Sequence, residues 1–191
     1  GVGDVALGDI LLAQSASTDS RFNRLQFGGH DLSACADFGL LRAAVDAAGR
    51  LGVPAAVAGV FSTDSFYEGD PHLVERLVRH RIAGVEMESA GLYGLALREG
   101  LRALAVLSVS DHLQRGEHMA PEKREQGLST MVSLVLDALA ADAKRKAHAM
   151  HAHLRFANID TVIEDGLHEY LTDVIDRTRD LGAEIARGHL F

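Results

Sequence analysis

Two short stretches of this 191-residue chain carry the side chains best suited to chemistry. The first is Gly84-Val85-Glu86-Met87-Glu88-Ser89-Ala90-Gly91, where an apolar run gives way to a helical pattern. In open parallel sheets ligands collect at the carboxyl ends of strands, where loops diverge and the next helix offers unpaired N–H groups. A carboxylate there can accept from both hydroxyls of a cis-diol, and a methionine presents a soft apolar surface to a sugar ring. Glu88 and Met87 therefore suit a ribose. The macrodipole alone would also favour Glu86 and Glu88 at a helix N-terminus. The second stretch is Ser108-Val109-Ser110-Asp111-His112. Asp111 ends a wholly apolar run, so partial burial is expected to raise its carboxyl pKa towards the range in which it donates a proton. The competing reading is that Ser110 and Asp111 cap a turn.

Placing these residues requires a sheet. Apolar runs alternating with amphipathic periods predict strands at about 5–14, 55–62, 83–87 and 103–109, and helices at 37–50, 72–80, 89–99 and 121–140. That cadence is α/β. Ala103 to Val109 is apolar on both faces, which predicts a central strand with helices on either side. The helix at 37–50 lines up Leu40, Leu41, Ala44, Val45 and Ala48, and Gly52 and Pro54 stop it.

Composition changes near residue 141. Ala141-Asp142-Ala143-Lys144-Arg145-Lys146 is small and charged, and residues 142–160 are predicted to be a linker. His148, His151 and His153 alternate there with small residues and are read as solvated, not as a metal site. Residues 161–191 form a separate appendage, in which Leu167, Leu171, Val174 and Leu181 fall close to helical spacing. Thr161 and Glu164 could close a capping box at its start, and the stripe predicts docking or self-association.

The charge balance narrows the partners. With 27 acidic and 19 basic residues the formal charge is −8, which excludes the basic stripe a phosphate backbone needs. No nucleic-acid partner is expected. No apolar run approaches the roughly 20 residues of a membrane span, so no membrane partner is expected either. The single cysteine, Cys35, forbids an intrachain disulfide and suits a reducing cytoplasm; it is read as a small packed residue.

Taken together, Ser62-Thr63-Asp64-Ser65-Phe66-Tyr67, the run from Gly84 to Ala96, Ser108 to His112, and Arg124 thirteen residues after Asp111 resemble the hexameric purine nucleoside phosphorylases of the nucleoside phosphorylase superfamily. The similarity also takes in Ser17 to Arg24 and Ala36-Asp37-Phe38, and it runs from the first residues to about 140. The resemblance implies an α/β fold with a mixed sheet flanked by helices, here incomplete, followed by an extra helical tail. It implies that residues 1–141 correspond to the carboxy-terminal part of such an enzyme. The activity implied is phosphorolysis of purine nucleosides through an oxocarbenium-like transition state, with inorganic phosphate as co-substrate and no cofactor or metal. On this resemblance Asp111 protonates the departing base at N7, and Arg124 pairs with it on closure. Glu88 holds the ribose hydroxyls and Met87 packs on the sugar. Phe66 lies against the purine, Val85 and Glu86 line the base pocket, and Ser110 is a further contact, although alone it reads as a turn residue.

Some of the family's pattern has no counterpart among these residues. The glycine-rich phosphate loop, the phosphate-clamping arginine and a phosphate-binding serine precede the matching region. So do the histidine and arginine that a neighbouring subunit contributes in the family's hexamer, a trimer of dimers. The chain by itself is accordingly expected to be inactive or nearly so, with a raw sheet edge. Two other readings stay open at this stage. One is a nucleosidase of the same superfamily, which uses water; His112 and the arginine thirteen residues after the aspartate favour the phosphorylase. The other is a non-catalytic fragment that associates through its tail.

Overall fold

The computed structural model describes residues 1–65, 70 and 72–155, with residues 125, 126 and 148–155 described by backbone alone. The elements run β1 (Ile10–Thr18), α1 (Phe22–Gln26), α2 (Phe38–Leu51), β2 (Ala55–Ser62), α3 (Leu73–Arg79), β3 (Ile82–Glu86), α4 (Ser89–Glu99), β4 (Ala105–Ser108), β5 (Asp111–His112), β6 (Glu117–His118) and α5 (Pro121–Arg155). Strands β3, β2, β1 and β4 form one sheet in that order, and β5 pairs with β6 in a second, two-stranded one. β1, β2 and β3 are parallel, joined by helical crossovers, whereas β4 runs antiparallel to β1 with Ser108 opposite Ile10. The architecture is the expected α/β fold with a mixed sheet.

Alternation along β1 builds the core. Ile10 and Leu12 point to one face and pack with Ala43, Ala44, Ala47 and Ala48 of α2 and with Leu134 and Ala138 of α5. Ala13 and Ala16 belong to the other face, with Val60 of β2 and Ala90 and Tyr93 of α4. Alanines on the facing helices let them sit close to the sheet, and burial of a side chain such as Leu12 contributes about 1.5–3 kcal/mol. The strand buried on both faces is thus β1. β4 does pack on both sides, through Leu104 and Val106 on one and Ala105 and Leu107 on the other. It is nevertheless an edge strand of the described sheet, half-buried at all four positions, not the central strand expected. Apolar content reports how many faces are packed, and it is silent on how many hydrogen-bonded neighbours a strand has.

β1 also starts later than its apolar pattern suggests. Gly8 adopts φ 88°, and Asp9 closes a turn by accepting from the Ala6 N–H at 2.8 Å, so regular pairing begins at Ile10. The strand then continues through polar Ser15, Ser17 and Thr18, held by pairing with Gly59 to Ser62. Helix α2 begins and ends as expected: Asp37 accepts from the Leu40 N–H at 2.8 Å, and Gly52 takes the left-handed conformation at φ 64° while the Val53 N–H reaches back to Ala48 at 2.9 Å. Arg102 pairs with Asp37 at 2.8 Å and holds that carboxyl below the usual range. Cys35 is exposed beside an isolated bridge to Ser15, not packed as expected. α1, β5 and β6 are too short for a periodicity to reveal.

The chain divides into two units, residues 1–138 and 139–191. Residues 142–155, predicted as linker, continue α5 as helix, because nothing in Ala141 to Arg155 breaks one: there is no glycine or proline. The side chains of His148, His151 and His153 and the whole of 161–191 lie outside the described residues. Among the described residues no helix is long and apolar enough to cross a membrane.

Tyr93 secures the sheet from α4. Fully buried, its hydroxyl donates to the Ala13 carbonyl at 2.5 Å and accepts from the Ala105 N–H at 2.9 Å, bridging the last register pair of β1 and β4. Burial pushes its pKa up, so it remains a neutral donor. Tyr93→Phe strands both backbone groups and is expected to cost about 1–3 kcal/mol in urea unfolding, against about 1 kcal/mol for loss of the cap in Asp37→Ala. An unchanged midpoint for Tyr93→Phe would contradict the bridge.

Candidate active site

At the end of β3 the two acids separate into different jobs. Glu86 is consumed by its surroundings: Oε2 accepts from the N–H groups of Glu88 at 2.9 Å and Ser89 at 2.7 Å and from the Ser89 hydroxyl at 2.7 Å, while Oε1 takes the Ser62 hydroxyl. Ser62 Oγ in turn accepts from the Ala90 N–H at 2.8 Å. Glu86 therefore serves the orphan donors at the start of α4 and fastens β2 to it. Glu88 and Met87 are exposed, and among the described residues the Glu88 carboxylate carries a single long hydrogen bond, from the Met87 N–H at 3.3 Å. Its acceptor capacity is open to a ligand. Met87 lines a cavity of about 390 Å³ with Thr18, Ser62, Asp64 and Leu92. Asp19 supports that rim, accepting from the Thr63 hydroxyl at 2.7 Å and the Asp64 N–H at 2.9 Å. Val85 sits in β3 opposite Phe61, and Phe66 lies outside the described residues.

The second group gathers on Asp111. The Ser110 hydroxyl donates to Oδ2 at 2.6 Å, and His118 Nδ1 lies 2.6 Å and Arg124 Nη2 3.3 Å from Oδ1. Arg124 is fixed in turn by its Nε–H on the Met119 carbonyl at 3.0 Å. The β5–β6 hairpin makes this possible, because its register sets Asp111 directly opposite His118. Sequence reasoning missed His118: the hairpin is two residues a strand, and only the pairing reveals the neighbour. The expected rise in the Asp111 pKa is not what the site produces. Hydrogen bonding from Ser110 and then His118 outweighs desolvation, and with Arg124 nearby the carboxyl is held below its ordinary range. The apolar run before Asp111 ends too soon to bury it; its side chain stays 38% exposed.

Because β4 is antiparallel, Ser108 meets the first residue of β1, whereas Glu86 lies beside Ser62, the partner of the last. The two groups thus leave the sheet from opposite ends of β1, a consequence that reasoning from parallel strands does not anticipate. Among the described residues no hydrogen bond or ion pair joins them, and the cavity at Met87 does not include Asp111. What relates them is the segment before β1. The Gly1 nitrogen donates to the Asp111 carbonyl, the Val2 N–H donates to Ala83 of β3 at 3.0 Å, and Gly8 and Asp9 exchange hydrogen bonds with Val109 at 2.8 and 2.9 Å. Buried His112 holds the same segment through Nε2 on the Gly3 carbonyl at 3.1 Å, its Nδ1 accepting from the Arg115 N–H at 3.3 Å.

With this geometry in place the comparison with known proteins is informative. Residues 1–144 match the sequence profile of the Phosphorylase superfamily, three quarters of the chain. The chain belongs to that superfamily. Superfamily relatives include the purine nucleoside phosphorylase DeoD-type of Psychromonas ingrahamii, 44% identical over 139 residues, or 73% of this chain and 59% of the relative. DeoD-type 2 of Aliivibrio fischeri is 45% identical over 134 residues, covering 70% and 57%, and DeoD-type 1 of Photobacterium profundum is 44% identical over 136, covering 71% and 56%. The chain spans somewhat under three fifths of the length of these relatives. A second profile, described as a predicted alpha-helical domain with a conserved ER motif, matches residues 104–190 and overlaps the superfamily match along β4 to α5.

The hydrogen-bond set on Asp111 makes a direct prediction. A carboxyl whose pKa is lower in the fold than in the unfolded chain, about 3.9, adds stability above that value and loses it as pH falls through the folded value. Ser110→Ala removes the leading cause, so carboxyl carbon NMR should show the Asp111 titration moving up and acid unfolding beginning at higher pH. An unmoved titration would contradict the assignment.

Proposed function

We propose that this chain supplies the nucleoside-holding and base-protonating part of a purine nucleoside phosphorylase. The observation that carries the reading is the Asp111 carboxylate held by Ser110, His118 and Arg124. In this reading phosphate attacks the anomeric carbon as the C1′–N9 bond lengthens, and the electron pair of that bond passes to the purine. A purine anion leaves poorly, and a proton or hydrogen bond at N7 from Asp111 neutralises it. Arg124 beside the same oxygen favours the carboxylate that remains after transfer. Glu88 accepts from the ribose hydroxyls, and Met87 packs on the sugar. Glu86 shapes the base side indirectly by fixing α4, with Val85 and Phe66 beside the purine.

Similarity to the DeoD-type enzymes supports this reading over about 70% of the chain. The family's phosphate loop has no counterpart in the matching region, so phosphate binding is assigned to the part of the family sequence that precedes it. The reading includes a homo-oligomer, the hexamer of the family, in a reducing cytoplasm, with neither metal nor organic cofactor. In this reading residues 1–141 are the phosphorylase part, 142–160 a connection and 161–191 an appendage.

Two measurements test this. Calorimetry with inosine or adenosine should detect binding that Glu88→Ala weakens on the order of tenfold, as expected for losing hydrogen bonds to a charged acceptor. Base release, followed with the chain in excess over nucleoside, should be slow and should depend on added phosphate. Release at the same rate without phosphate would transfer the assignment to a nucleosidase.

A further inference from the structure

The hairpin gives Asp111 a partner that the reaction as described leaves unused. The β5–β6 register places His118 opposite Asp111, and the hairpin is locked by the Met119 N–H on Ser110 at 2.8 Å, the Gly116 N–H on His112 at 2.9 Å, and Gly116 itself at φ 62°. His118 Nδ1 is 2.6 Å from Asp111 Oδ1. The His118 side chain is 72% exposed against 38% for Asp111, so one edge of the ring rests on the acid and most of the remainder meets water. A carboxylate this well supplied with donors rests ionised, and the proton that it delivers must be stored beside it.

We propose that His118 is the store: its imidazolium holds, on Nδ1, the proton that Asp111 passes to the leaving purine. This rests on the reading of Asp111 as the group that serves N7. The step balances. The Nδ1–H bond breaks as Oδ1–H forms, that O–H breaks as N7–H forms, and C1′–N9 breaks while phosphate oxygen bonds to C1′. The imidazole left neutral recovers a proton from water before the next turnover. His118 acts through Asp111 and is a positioning and proton-storing residue. The charged groups around the pair are Arg124 from α5 and Glu117 next in the strand, with Arg115 at 3.8 Å from it.

His118→Asn is the discriminating variant, since its amide nitrogen can replace Nδ1 as a hydrogen-bond donor but has no proton to give. In the full chain labelled at aspartate carboxyl carbons, the Asp111 signal should show a main step at low pH and a second, smaller one as His118 loses its proton. In His118→Asn the second step should vanish while the first stays low. Release of hypoxanthine from inosine, with the chain in excess, should fall in rate at alkaline pH. His118→Asn should lower the saturating rate on the order of tenfold or more, remove that alkaline limb, and leave the half-saturating chain concentration unchanged. A single Asp111 step in the native chain, or an unaltered rate and pH profile in His118→Asn, overturns the proposal. A second step accompanied by no base release from any form overturns it through the functional reading beneath it, with the pair itself intact.

Discussion

The geometry of the site depends on one carboxylate and the donors that surround it. Asp111 is placed by a two-residue strand pairing, and that pairing brings Ser110, His118 and Arg124 to its two oxygens. Charge-assisted hydrogen bonds of this kind are about twice as strong as neutral ones, so the loop from Ser110 to Met119 is organised around the anion as much as the anion is organised by the loop. Removing the charge would leave a serine, a histidine and an arginine pointing at one another without an acceptor. The charge state of Asp111 and the local folding are thus set by the same atoms.

A comparable division of labour is visible at β3. Two glutamates two residues apart, chemically identical, have opposite fates because one meets the first turn of α4 and the other projects past it. Glu86 is saturated by backbone and serine donors, while Glu88 keeps most of its acceptor capacity. A carboxylate already satisfied by the protein is a poor ligand for a diol, and one left almost bare is a good one. The segment from Gly1 to Asp9 relates these two regions, touching Ala83, Val109 and Asp111 in turn.

Most of the framework was legible in the sequence. The β2 strand and the α2 and α4 helices follow from their hydrophobic period, with Gly52 marking an end that the structure keeps. What was not legible has physical causes. The direction of β4 is a property of pairing, and Ala105 to Ser108 would read the same in either orientation. α5 outlasts its expected end because a change from apolar to charged residues alters which face is packed without breaking a helix. The lowered Asp111 pKa rests first on Ser110 and then on His118, seven residues away and placed by a tight hairpin that no pattern of hydrophobicity encodes. The motifs that pointed to Glu88 and Asp111 were local, while the roles of Glu86 and His118 arise only from tertiary neighbours.

The central claim, that Asp111 makes the purine a better leaving group, is tested most directly by a substrate that needs no such help. 7-Methylguanosine already carries a positive charge at N7 and its base departs without a proton, whereas guanosine requires one. With the chain in excess, Asp111→Ala should lower the rate of guanine release on the order of a hundredfold or more while sparing 7-methylguanine release. Equal losses on both substrates, or none on guanosine, would contradict the account.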